Sequence, residues 1–252
     1  MNNSQRRELY QKAKKGNEDI IVVEGIHAFK HAVRFGAEFV DVVTNDKDFV
    51  VDLMSEIATE EDVKNVGKYA VEIDEKLFNE ITTDSLRTGI TALAKKPVEK
   101  KIDEEGVIVF LENPRDIDNV GAVMRVAAGT GASSVCVSGE VNPWHLHAIR
   151  AGAGLQFALT VKHVKNIAEI AQDRKFYACD ADGENMKELI IGQSAVLIFG
   201  TERDGISEDL KKQVDTIISI PMLEGVSSLN LATSVSAVLY GGSFGIIDCK
   251  YK

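Results

Sequence analysis

Two rhythms of apolar and polar residues run along this chain, and they change near residue 106. In the first part, short strand-like runs alternate with amphipathic stretches. Residues 4–15 read as a polar helix and 19–24 (DIIVVE) as a strand. Residues 26–36 predict a helix with Ile26, Phe29, Ala32 and Val33 on one face. A second strand at 38–44 (EFVDVVT) and a second helix at 48–58 follow. A segment at 69–73, a short helix near 74–81 and a run at 89–94 complete a small α/β/α domain spanning residues 1–95. Residues 96–105 lie in a charged, Pro-containing stretch (KKPVEKKIDEEG) without apolar periodicity, the composition of a linker.

From residue 106 to 252 the strand signals become continuous apolar runs, as expected of a parallel sheet buried on both faces. They fall at 107–111, 134–137, 158–163, 176–179, 195–199 and 216–220. Helical segments at 120–131, 143–151, 167–174, 207–213 and 229–241 separate them. Strand and helix alternate throughout, so the fold class is α/β.

Composition narrows the function classes. The formal net charge is −10, which opposes non-specific nucleic-acid binding. The charge is uneven, however: Arg6, Arg7, Lys12, Lys14 and Lys15 stand against Glu8 alone in the first 15 residues. Such a face is either a solvated helix surface or a local RNA contact. Cys136, Cys179 and Cys249 are far apart and odd in number, so neither a disulfide framework nor a zinc site is indicated, and a cytoplasmic setting is expected. The polar N-terminus lacks a signal-peptide core. The one candidate membrane span, 229–247, holds Asn230, Thr233 and several Ser and Gly, and reads as a buried helix.

Three loop segments carry the candidate chemistry: Asn119-Val-Gly-Ala-Val-Met-Arg125, Gly200-Thr-Glu-Arg-Asp-Gly205 and Ile220-Pro-Met-Leu-Glu-Gly-Val-Ser-Ser-Leu-Asn230. Each follows an apolar run, where loops leaving the carboxyl ends of strands build ligand sites. Phosphate-binding glycine motifs are absent: GTGASS (129–134) and GAGLQF (152–157) do not complete G-x-G-x-x-G. His27 and His31 are four apart, but no further ligand completes a metal set, and no metal is expected. In the first loop Asp118 or Asn119 is placed to cap a helix starting at Val120. Arg125 lies in an otherwise apolar helix and needs an anion or a cleft. Glu202 is placed to hold that Arg. In the third loop Ser227 or Ser228 is the expected cap of the last helix. Backbone groups, small side chains and one charged pair suit a neutral or zwitterionic cofactor better than a triphosphate.

In this order, the three segments resemble motifs one to three of the SpoU (TrmH) family of RNA 2′-O-ribose methyltransferases, of the SPOUT class. The first motif is similar to Asp116-x-x-Asn119-x-Gly121-Ala122-x-x-Arg125, and the second to Phe199-Gly200-x-Glu202-x-x-Gly205-Ile206. The third resembles Ile220-Pro221-Met222 with Ser228-Leu229-Asn230. Asn142-Pro143-Trp144 through Arg150-Ala151 resembles the segment between the first two. Val23-Glu24-Gly25 and the segment 88–95 resemble an N-terminal RNA substrate-binding domain. Ile117-Asp118 stands where members often have Pro-Gly, and Gly152 where Ser is common.

The resemblance implies a trefoil-knotted parallel sheet, a homodimer and S-adenosylmethionine (SAM) as cofactor, held around Gly200, Ile220, Met222 and Leu229. It implies methyl transfer to a ribose 2′-hydroxyl of rRNA, with large-subunit rRNA favoured. Arg125 would activate the hydroxyl with Glu202 orienting it, and Asn119, Ser228 and Asn230 would position ribose and backbone. RNA contacts are expected at Arg6, Arg7, Lys12, Lys14, Lys15 and Arg150, and no membrane contact. Two alternatives remain: tRNA as substrate, and a non-catalytic RNA-binding or assembly protein.

Overall fold

A computed structural model describes residues 1–16, 19–83, 89–102, 105–170, 173–201 and 203–241. The chain divides into two compact units. One comprises Met1–Val98 with Trp144–Ala158, and the other Glu99–Pro143 with Leu159–Lys252.

The first unit begins with α1 (Asn3–Lys14), β1 (Ile20–Glu24), α2 (Ile26–Arg34), β2 (Phe39–Thr44) and α3 (Lys47–Ile57). It continues with α4 (Glu60–Tyr69), β3 (Val71–Glu72), α5 (Glu75–Ile81) and β4 (Ile90–Lys95). The strands form a mixed sheet in the order β1-β4-β2-β3, antiparallel except for β2 with β3. Helix α4 was not anticipated. Its segment is polar, with only Asp62 and Val66 buried, and a capping box between Thr59 and Asp62 defines its start.

The second unit contains β5 (Ile108–Leu111), α6 (Ile117–Thr130) and β6 (Ser134–Val137). The next helix, α7 (Leu146–Ala151), groups with the first unit, although the sequence assigned it to the C-terminal domain. Leu146 explains this: it is buried in the core formed by Tyr10, Val22, Phe78 and Leu93. The second unit resumes with β7 (Thr160–His163), β8 (Phe176–Asn185), β9 (Val196–Phe199), α8 (Glu208–Lys211), β10 (Thr216–Ser219) and α9 (Leu231–Gly241). In place of the helix expected over 167–174, a 3-10 turn covers Ile167–Glu169.

The six strands of this unit are all parallel, in the order β10-β8-β9-β5-β6-β7. Strands β5, β6 and β9 are buried along their whole length, which accounts for their unbroken apolar runs. Adjacent strands β5 and β9 are followed in sequence by strands lying on opposite sides of them. That reversal is where open α/β sheets form ligand crevices.

The basic N-terminal residues are distributed differently from the sequence expectation of one exposed face. Arg6 is 4% exposed, and its Nε and Nη2 donate to Asp41 Oδ2 and Oδ1 at 2.6 and 3.0 Å. This hydrogen bond, opposed by burial, raises the Arg6 pKa. Arg7 pairs with Glu80, and Lys14 lies 3.6 Å from the buried Glu24 carboxylate. Lys12 and Lys15 remain exposed and form no ion pair among the described residues. Removing one partner of a buried pair leaves an uncompensated charge. Asp41→Ala is therefore expected to lower unfolding free energy by about 3–5 kcal/mol in urea titrations. Lys12→Ala is expected to change it by less than about 0.5 kcal/mol.

Candidate functional site

All three candidate loops leave carboxyl ends of strands in the second unit, as the sequence pattern requires. After β5, Asp116 starts α6 by accepting from the backbone N–H groups of Asp118 and Asn119 at 2.8 and 3.2 Å. The helix thus begins three residues before the expected start, and its cap is Asp116 rather than Asp118 or Asn119. Asp118 falls in the first turn, where a carboxylate complements the helix dipole. Gly131, at φ +76°, ends the helix in the left-handed region.

Strand β9 leads into a turn closed by two backbone bonds between Thr201 and Gly205, at 2.9 and 3.1 Å. A Cβ at Gly200 would overlap the Gly205 carbonyl, so this close return needs glycine there. Glu112, just past β5, accepts from the Ser207 backbone N–H at 2.8 Å and from its hydroxyl at 2.5 Å. Ser207 in turn caps α8. Arg115 and Asp204 add an exposed ion pair at 2.8 Å.

Past β10, the exposed segment 220–230 reaches α9. Asn230, not Ser227 or Ser228, caps that helix: its Oδ1 accepts from Ala232 N and Thr233 N at 2.9 and 3.4 Å. The same side chain donates from Nδ2 to Asn119 Oδ1 at 2.8 Å. One amide thereby ties the start of α9 to the start of α6, and the two helices pack together.

A cavity of about 370 Å³ lies against these loops. Gly200, Ile220, Met222, Ser228 and Leu229, drawn from two of the candidate segments, all line it. Its volume is within the range of small-molecule sites, about 300–1,000 Å³. Residues outside the candidate loops also contribute: Phe199, Leu231 and Ser234 flank them, while Cys179, Asp180 and Ala181 lie far from them in sequence. Residues 179–181 come from an irregularity in β8. Its Ala178 pairs with Ile217, but the next β8 residue on the ladder is Glu184, opposite Ile218. The signal existed in the sequence as CDADG directly after the apolar run FYA. Burial pushes the Cys179 thiol up to about 12, so it is no nucleophile near neutral pH.

Arg125 is exposed on α6, on the side opposite buried Val123, Met124 and Ala127. The helix keeps a solvent face along Asp118 and Arg125, so the cation is hydrated there. Glu202 lies outside the described residues. Arg150 sits in the last turn of α7, in the first unit. No cluster of three metal-ligating side chains occurs among the described residues, and no described helix is long and apolar enough to cross a membrane.

The second and third segments, with residues 179–181, thus line a small-molecule cavity at the carboxyl ends of β8, β9 and β10 in a parallel α/β sheet. Residues 106–240 match the model of the SpoU rRNA methylase family, and the chain belongs to that family. It is 32% identical over 149 residues to a tRNA/rRNA methyltransferase of Archaeoglobus fulgidus whose activity is uncharacterised, covering 57% of this chain and 66% of that one. It is 23% identical to the 23S rRNA (adenosine(1067)-2′-O)-methyltransferase of Streptomyces azureus, over 91% of this chain and 88% of that one. In fold it is similar to the SpoU methyltransferase AviRb of Streptomyces viridochromogenes, solved with AdoMet. That match has a TM-score of 0.76 at 20% identity and covers 93% and 95% of the two chains.

The double role of Asn230 generates a separable pair of effects. Asn230→Ala is expected to cost about 1 kcal/mol of stability through loss of the α9 cap. Asn119→Ala keeps that cap and should cost less in the same thermal melts.

Proposed function

We propose that this protein transfers a methyl group from SAM to a ribose 2′-hydroxyl of rRNA. The observation that carries the reading is the gathering of Gly200, Ile220, Met222, Ser228 and Leu229 around one cavity beside the Asn119–Asn230 tie. The residues suit the cofactor. Gly200 lets the turn close against Gly205, and the lining combines serine hydroxyls and apolar surface with Asp180, Asp204 and Arg203, not the cationic clamp a triphosphate needs. Bound there, SAM supplies a methyl group made electrophilic by its sulfonium.

The chain's own residues do the rest. Arg125, exposed and permanently charged, stabilises the developing ribose alkoxide and grips a neighbouring phosphate. Glu202 orients it. Asn119, Ser228 and Asn230 position the ribose and the backbone. Lys12 of α1 and Lys15 at its end, which form no ion pair among the described residues, contact RNA phosphates, and Arg150 adds to them. Arg6, Arg7 and Lys14 act first by holding their own unit together. The reading includes a trefoil knot in the second unit, a cytoplasmic setting and a homodimer. Exposed Leu223, Val226 and Tyr240 in the second unit give the dimer an apolar surface to bury. The full-length similarity to a 23S rRNA enzyme favours rRNA over tRNA.

Methyl transfer from labelled SAM to unmodified rRNA and, separately, to tRNA tests this reading, with digestion to nucleosides. Label in a 2′-O-methylnucleoside from rRNA, reduced about 10²–10³-fold by Arg125→Ala, is expected. Label from tRNA alone overturns the substrate, and label on a base overturns the chemistry. SAM binding without transfer to either RNA favours the non-catalytic alternative.

A further inference from the structure

Asp180 is absent from the three loop motifs, yet it lines the cavity, with its Oδ2 on the side of Gly205, another lining residue. It reaches that position because residues 179–183 leave the β8–β10 ladder between the pairs Ala178–Ile217 and Glu184–Ile218. The departure is built into the fold on both sides. A Cβ at Gly183 would come within 2.5 Å of the Ile218 backbone, so glycine is required where the chain returns. Ser219 Oγ donates to the Gly183 carbonyl at 2.8 Å and holds the return in place.

The carboxylate itself is also held. Lys211 Nζ lies 3.0 Å from Asp180 Oδ2, with both side chains largely buried, and the Asp182 backbone N–H donates to Oδ1 at 3.3 Å. Lys211 is presented by α8, whose start is fixed through Ser207 and Glu112. Gly205 lies beside Asp180, since a Cβ there would stand 3.6 Å from Oδ2.

A carboxylate offers about four acceptor positions, so each oxygen retains capacity beyond these two donors. Lys211, which also lies 3.3 Å from Glu208 Oε1, offsets the Asp180 charge and disfavours a second cation close by. What remains is suited to a neutral pair of hydroxyl donors, the arrangement by which acidic side chains elsewhere hold a nucleoside ribose. We propose that Asp180 is a cofactor-binding residue that accepts hydrogen bonds from the ribose hydroxyls of SAM, with Lys211 as its positioning residue. This rests on the SAM reading of the cavity and adds to it a specific determinant for the adenosine half of the cofactor.

The test is calorimetric binding to the full chain, with S-adenosylhomocysteine, 5′-methylthioadenosine and 2′,3′-dideoxy-5′-methylthioadenosine as probes. Asp180→Ala is expected to weaken the first two roughly ten- to hundredfold, as loss of hydrogen bonds to a charged group does, and to leave the dideoxy probe unchanged. Asp180→Asn preserves shape and one acceptor, and should show the same pattern at smaller size should Asp180→Ala not fold. Unchanged affinities overturn the proposal. So does a loss confined to S-adenosylhomocysteine, which places the contact at the amino-acid end, or an equal loss for the dideoxy probe. Failure of the wild-type chain to bind S-adenosylhomocysteine overturns the SAM reading itself, and this inference with it.

Discussion

One hydrogen bond, from Asn230 to Asn119, determines how the candidate site is assembled. Helices α6 and α9 start at the ends of loops more than a hundred residues apart in sequence, and each needs acceptors for its first backbone N–H groups. Asp116 meets that need for α6, and Asn230 meets it for α9. Because Asn230 has both an acceptor and a donor, it caps its own helix and still bonds the neighbouring one. The loop 220–230 is exposed almost throughout, so its far end depends on that anchor. The cavity lies between this loop and the turn at Gly200–Gly205, so the same anchor sets one of its walls.

Charge is organised on the same principle of local satisfaction. The motif-two turn is followed by Ser207, which Glu112 holds, and α8 then delivers Lys211 to Asp180. In the first unit, basic side chains of α1 answer carboxylates that burial would otherwise make costly, Asp41 and Glu24 above all. An acidic protein can therefore carry a basic N-terminal helix without that helix being wholly available to RNA. His31 follows the same logic: burial lowers its pKa, while its Nδ1 meets the Ala153 carbonyl at 2.7 Å.

Much of the fold was legible because parallel strands buried on both faces cannot disguise themselves. The runs at 134–137 and 195–199 became β6 and β9 with little change. Helix α4 was not legible, since its apolar face is narrow and its stability rests on a capping box. The caps were misassigned for a different reason. Asp116, Asp118 and Asn119 are all good cap formers, as are Ser227, Ser228 and Asn230, and only the backbone register chooses among them. The partners of Arg6 and Arg7 lie 35 and 73 residues away, beyond any local pattern. Gly200, Ile220, Met222 and Leu229, the positions that the resemblance assigns to the cofactor, line the cavity, whereas the excursion at 179–183 is hidden behind a strand signal that ends at Cys179.

Hydrogen exchange of the full chain with and without S-adenosylhomocysteine tests the central claim most directly, because it reads every loop at once. The account predicts added protection at 179–181, 200–205 and 220–231, with the first unit unchanged. Protection centred on the first unit, or a saturating ligand that slows exchange in only one of the three segments, would contradict a single site assembled from loops of the second.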